Sequence, residues 1–267
     1  MLTKLERSNI FPHGSLDLDV STSDVVNIIF TRFFLVNFRM GKFKEDFDEY
    51  KYLEYRCDLF LKICYPSVIP QLSSSDKWYL FVSPQFIDFV KEKLGNIDER
   101  VIIQDFNKEK LIKEIDGYIL SNKLPCITRI DNDDTLSLEY IELVDKVSKK
   151  LSEKNDYAFV MFPVGLQKNL SLNDCNLFVY NITHTFTVFY KTSLEKNLRI
   201  WLYNFEHTKL YESDINVVIN NTNLPMWSEN ISDTNQANYY FKDTSVKVNL
   251  QSPVMNKLFP VLLSYNS

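Results

Sequence analysis

The sequence predicts an α/β fold: a mostly parallel central sheet flanked by helices, with an antiparallel β extension in the C-terminal half. Three observations carry that prediction. Apolar β-rich runs alternate with helical stripes up to residue 155, the rhythm of strand, helix and strand units. After Asp156 the runs become short and are separated by polar turns, with no strong helix between them. No repeat, low-complexity stretch or linker divides the 267 residues, which suffice for one large domain.

Residues 1–24 are polar and patternless, an N-terminal arm. The run Val25 to Val36 is apolar and β-rich and predicts a first buried strand. Leu53, Cys57, Phe60, Leu61 and Cys64 then recur at the spacing of a helix packed on one face, which Pro66 and Pro70 are expected to end. A short strand over 77–83, a helix near 85–94 stopped by Gly95, and a strand over 100–105 follow. Next come a helix over 108–121, a strand over 125–130 and a helix over 138–151. In the second half, residues 157–162, 177–180, 186–190 and 198–203 read as short strands, followed by a loop-rich tail. The expected organisation is one domain over 1–267, with halves 25–155 and 156–267.

Composition removes several classes of function. Thirty basic and thirty-five acidic side chains leave a formal charge of −5, the wrong sign for a dedicated nucleic-acid binder. Five glycines, at 14, 41, 95, 117 and 165, cannot form a glycine-rich phosphate loop of the Walker or dinucleotide type. Cys57, Cys64, Cys126 and Cys175 are scattered, with no Cys-x-x-Cys pair, as free thiols in a reducing cytoplasm would be. No stretch reaches the ~20 apolar residues that span a bilayer, so a peripheral contact at the inner face of the cytoplasmic membrane is the most that is expected.

The segment Pro125-Cys-Ile-Thr-Arg-Ile-Asp-Asn-Asp-Asp134 concentrates the chemistry. Its three carboxylates repel one another and follow directly on an apolar strand. In an open α/β sheet the carboxyl ends of strands are where ligands bind. Asp131 and Asp133, two residues apart, face one side if the backbone is extended, and hard oxygen ligands of this kind suit Mn²⁺ or Mg²⁺. Other readings share these residues: a solvated acidic turn leading into the next helix, or a metal-dependent phosphoester hydrolase. An EF-hand is excluded, because Leu136 stands where that loop needs glycine and a strand precedes it.

Seven stretches, in order and at similar spacing, resemble the rhamnosyltransferase family of bacterial glycosyltransferases: Ile28-Ile-Phe-Thr-Arg-Phe33, Leu53-Glu-Tyr-Arg-Cys-Asp-Leu-Phe60, Pro66-Ser-Val68, Trp78-Tyr-Leu-Phe81, Thr128 to Asp134, Phe162-Pro-Val-Gly165 and Leu224-Pro-Met-Trp227. The resemblance implies a GT-A fold in which an Asp-x-Asp motif ends a central strand, with residues 25–155 as the nucleotide-sugar half and 156–267 as the acceptor half. It implies transfer of a sugar from a UDP- or dTDP-sugar donor to a glycan or glycolipid acceptor in surface polysaccharide synthesis. By that resemblance Asp131 and Asp133 hold a divalent ion, with His207 as a further ligand. Thr31, Arg32, Arg129, Asp131 and Asp134 belong to the donor side, Trp227 is a platform for the acceptor sugar, and Glu229 or Glu206 is the base of an inverting transfer. A non-catalytic carbohydrate-binding module of the same fold is the alternative. The stretch Ser228-Glu-Asn-Ile-Ser232 departs from the family pattern, which carries more His and Gly there.

Overall fold

The computed structural model describes residues 24–35, 47–172, 174–179, 185–192, 224–232 and 246–264, together with the backbone of 11–12 and 217–221. In chain order the elements begin with β1 (Phe11–Pro12), β2 (Val25–Phe34), α1 (Glu49–Leu59), a π-helical turn (Phe60–Cys64), α2 (Tyr65–Val68), β3 (Lys77–Val82), α3 (Ile87–Leu94), β4 (Val101–Gln104), α4 (Lys108–Leu120) and β5 (Leu124–Arg129). They continue with β6 (Thr135–Leu136), α5 (Tyr140–Ser152), β7 (Tyr157–Met161), β8 (Val164–Asn169), β9 (Asp174–Val179), β10 (Phe186–Tyr190), β11 (Val217–Asn221), β12 (Trp227–Ile231), β13 (Val246–Lys247), α6 (Pro253–Leu258) and α7 (Pro260–Ser264).

Among the described residues the strands form an eight-stranded sheet in the order β1-β11-β7-β10-β5-β2-β3-β4 and a five-stranded sheet in the order β13-β9-β8-β12-β6. β2 pairs in parallel with β3 on one side and with β5 on the other, and β4 is parallel to β3. The chain therefore winds outward from β2 through β3 to β4 and then returns to place β5 on the opposite flank. That reversal makes the carboxyl ends of β2 and β5 a topological switch point, where a crevice opens in doubly wound sheets.

Apolar residues explain the layers. Ile29, Phe33, Trp78 and Leu80 point to a core shared with α1, α3 and α5, while Val26, Ile28, Phe30 and Ile127 point to a second core that includes Leu111 and Ile115 of α4. Alternation along each strand sends successive side chains to the two faces, as a sheet covered on both sides requires.

The sequence reading holds for most of the first half within a residue or two and differs elsewhere: the tail expected to be loop-rich carries α6 and α7, β1 of the N-terminal arm pairs with β11, and β6 and β8 are strands where none was expected. Pro66 does not end the first helix. The helix passes through the π turn and resumes as α2 with Pro66 second in it, so the donor that proline lacks falls where the bonding changes from the π turn to α2. The antiparallel extension is only partial: β10 is antiparallel to both β5 and β7, but β11 pairs with β7 in parallel. Finally, β8, β9 and β12 leave the main sheet for a sheet of their own, in which β12 is parallel to β8. Gly95 ends α3 at φ +61° as expected. The expected strand over 198–203 lies outside the described residues. All four cysteines are free and buried.

Candidate active site

The acidic run leaves β5 and turns at once: the amide of Asp134 donates to the carbonyl of Asp131 at 3.2 Å. This turn replaces the extended backbone expected from the sequence, so Asp131 and Asp133 do not simply share a face. Their surroundings differ accordingly. The Asp131 side chain keeps 37% exposure, against 9% for Asp133.

Asp133 is neutralised from α1. Arg56 donates through Nη1 to Asp133 Oδ2 at 2.6 Å and through Nη2 to Asn132 Oδ1. Burial opposes the charge on Arg56, but the charge and hydrogen bond of Asp133, with Tyr52 and Asp131, together outweigh it and hold the guanidinium pKa above its ordinary value. Asn132 in turn donates to the carbonyl of Phe33 at 3.2 Å, tying the acidic turn to the end of β2 across the switch point. Asp134 is buried and accepts from the backbone amide of Asn230 at 3.1 Å, and the Asn230 side chain donates to the carbonyl of Asp133 at 2.7 Å.

The segment after α1 supplies two further fasteners. Cys64 Sγ donates to the carbonyl of Asp131 at 3.6 Å, and burial, then the charges of Asp134 and Asp133, keep this thiol well above its ordinary pKa. Ser67 Oγ accepts from the amide of Leu136 at 3.2 Å while donating to the carbonyl of Cys64 at 2.7 Å. The one carboxylate of the run left with substantial exposure is that of Asp131, which takes a 3.4 Å ion pair from Arg129. Arg129 opposes Phe30 in the β2–β5 ladder, and Arg32 lies two residues further along β2, so alternation brings both arginines toward the same face at the switch point.

The other predicted residues fall as follows. Thr31 is fully buried and its hydroxyl accepts from the indole of Trp78 at 3.0 Å, which is a core role. Trp227 is 1% exposed, its Nε1 donates to the carbonyl of Phe162 at 2.7 Å, and its ring covers Gly165. No face of that indole is open to a sugar, contrary to the expected platform. Glu229 is buried and accepts from Gln167 at 2.9 Å. Glu206 and His207 lie outside the described residues.

These positions also test a divalent ion. Among the described residues no three or more His, Cys, Asp or Glu side chains gather as a metal-holding group. With Asp133 Oδ2 taken by Arg56 and Asp134 Oδ1 by Asn230, Asp131 is the most open carboxylate of the run, and an ion held there would draw its remaining ligands from phosphate and water.

Sequence reasoning missed Arg56, Cys64, Ser67 and Asn230. Arg56 did leave a signal: it lies three residues after Leu53 and four before Phe60, on the buried stripe of its own helix.

The stretches that carried the resemblance meet in space. Arg56, Ser67, Phe33 and the Asp131–Asp134 turn are joined by the bonds just described, and the Trp227 indole bonds to Phe162. A family model described as "Putative rhamnosyl transferase" matches residues 43–243. The chain belongs to this family. This member of the rhamnosyl transferase family is thus a glycosyltransferase, and the matched span contains the acidic turn and the residues that fasten it from α1, the segment after it, and β12. Comparison with curated proteins returned no match. Among solved structures, a chain described as a "putative nucleotide-diphospho-sugar transferase" from Desulfovibrio desulfuricans G20 is 12% identical, with 76% of this chain and 83% of that one covered and a TM-score of 0.34. Among the described residues of this family member, no helix is long and apolar enough to cross a membrane.

Proposed function

We propose that the protein transfers a sugar from a nucleoside-diphosphate donor, a UDP- or dTDP-sugar, to a glycan or glycolipid acceptor of bacterial surface polysaccharide synthesis, on a GT-A type sheet. The observation that carries this reading is the half-open carboxylate of Asp131 at the carboxyl end of β5, beside the β2–β5 switch point, in a chain of the rhamnosyl transferase family.

Arg32 and Arg129 supply the positive charge for the donor diphosphate. A guanidinium pairs with phosphate through two parallel N–H donors, and low exposure strengthens each bond. When the donor occupies the site, Arg129 exchanges part of its long 3.4 Å contact with Asp131 for the phosphate. Asp131 is then the protein ligand for Mn²⁺ or Mg²⁺, an ion that supplies electrostatic stabilisation of the leaving diphosphate when bound. Asp134 and Asp133 serve as the frame of the site. In an inverting transfer Glu229 accepts the acceptor's hydroxyl proton, and its Gln167 partner orients it.

The test is thermal stabilisation by UDP, dTDP, GDP and CMP, each with Mn²⁺ and with EDTA, on the wild-type protein and Asp131→Asn. Stabilisation of the wild type by one nucleoside diphosphate only with metal, and its loss in the variant, is the expected result. Equal shifts with Mn²⁺ and EDTA would remove the metal from the reading, and no shift with any nucleotide would remove the donor.

A further inference from the structure

The bond network around Arg56 assigns it a task that neither the acidic motif nor family membership names. We propose that Arg56 is a positioning residue for donor binding: from α1 it grips Asn132 and Asp133 together, and this grip presents Asp131 to the donor. The proposal rests on the transferase reading for its consequence, but the grip itself is a property of the chain alone.

Two acceptors on adjacent residues demand two donors held at a fixed separation. The guanidinium fork provides them, donating to Asp133 Oδ2 and Asn132 Oδ1 at once, whereas a lysine ammonium is a single point of charge on a flexible stem. Both side chains of the ion pair are below 10% exposure, at 5% for Arg56 and 9% for Asp133. Buried pairs of this kind add little net stability compared with apolar residues of the same volume, so stability alone does not account for a charge here. What the pair does supply is orientation. It sets Asn132, which bonds to the carbonyl of Phe33 of β2, and so ties the turn to β2 as well as to α1.

The helix is built to hold more than one point of that turn. Cys64 lies eight residues after Arg56, which in a regular α-helix would rotate it by roughly 80° from the arginine. The π turn at Phe60–Cys64 takes up an extra residue, returning Cys64 to roughly 20° from Arg56, as in an i, i+7 pair. Cys64 then reaches the carbonyl of Asp131. A distortion of the helix thus lines up two fasteners on one short loop, the kind of use for which π turns are retained.

The variants that test this are Arg56→Lys, Arg56→Met and the charge-balanced pair Arg56→Met with Asp133→Leu, which keeps the fold testable if the single variant is too unstable. Amide hydrogen exchange over residues 131–136, in the protein with no ligand added, reads the grip directly. Titration calorimetry with Mn²⁺ and the nucleoside diphosphate that stabilises the wild type reads its consequence. In the double variant the expected result is exchange faster by about tenfold or more at the turn with an unchanged melting temperature, and affinity lower by about tenfold. Arg56→Lys, which keeps the charge and loses the fork, should recover part of that affinity. Unchanged exchange at the turn in the double variant would overturn the proposal. So would tighter Mn²⁺ binding by Arg56→Met than by the wild type, because Arg56 would then only compete with the ion for Asp133. If the wild type binds none of the nucleoside diphosphates, the transferase reading fails, and the exchange result by itself upholds or overturns the grip.

Discussion

The indole of Trp227 covers Gly165 so closely that a Cβ at position 165 would fall well inside van der Waals contact with three of its ring atoms. β8 and β12 are neighbours in the small sheet, and the same indole is anchored by its bond to Phe162. Gly165→Ala must therefore push the ring from its place. It is expected to destabilise the protein by about 1–3 kcal/mol, read as a lower midpoint in urea with an unchanged slope. Trp227→Phe, which loses the bond to Phe162, should cost a similar amount. A Trp227 variant that keeps full stability while losing acceptor affinity would return this residue to the acceptor surface.

Asp131 and Asp133 should separate cleanly. Asp133→Ala leaves a buried guanidinium without its carboxylate, and about 3–5 kcal/mol of stability should go with it. Asp131→Asn touches a half-exposed group and should change stability by no more than about 0.5 kcal/mol while abolishing the metal-dependent nucleotide effect. Paired denaturation and calorimetry check both, and equal destabilisation by the two variants would sink the distinction.

Thr31→Val removes the acceptor of the buried Trp78 indole and should cost about 1–3 kcal/mol. Donor affinity should be unaffected in the folded fraction. A large loss of affinity with no loss of stability would mean that the hydroxyl serves the nucleotide after all.

At the opposite end of the sheet, Asp145 of α5 gives the stability a pH dependence. Burial, with help from the charges of Asp76 and Glu142 and against the bond from Asn27, raises its pKa to about 7. Because the folded state favours the protonated acid, the stability linked to this group is complete below the unfolded carboxylate's pKa and is lost as pH rises from there through about 7. The loss is on the order of 4 kcal/mol between pH 4 and pH 8. Asp145→Asn keeps an oxygen for the 2.9 Å bond from Asn27 and should flatten that part of the profile. An identical slope in the variant would assign the dependence elsewhere.

The first half of the fold was legible because local signals agree with one another there: Gly95 stops α3, and β2, β3 and β5 are apolar runs of the right length. The acidic turn was legible as a site because its charge follows an apolar strand. The small sheet was not, since β6 is two residues long and β12 is the polar run Trp-Ser-Glu-Asn-Ile, whose pairing depends on partners far away in sequence. The fate of Asp133 was hidden for the same reason. The place of Arg56 on a buried helical stripe signals a partner, but the carboxylate it meets is 77 residues away and cannot be named from the sequence.

Asn230 reaches back 96 and 97 residues to Asp134 and Asp133. On the ribosome, β2 to β5 and the helices between them emerge first, and the acidic turn with them, long before the strand that closes it exists. Until Asn230 leaves the exit tunnel, Asp134 has no amide from β12 to answer its charge. The site is thus assembled in two acts, and a chain cut short of residue 230 would carry the donor-side framework with its acidic turn still unlatched.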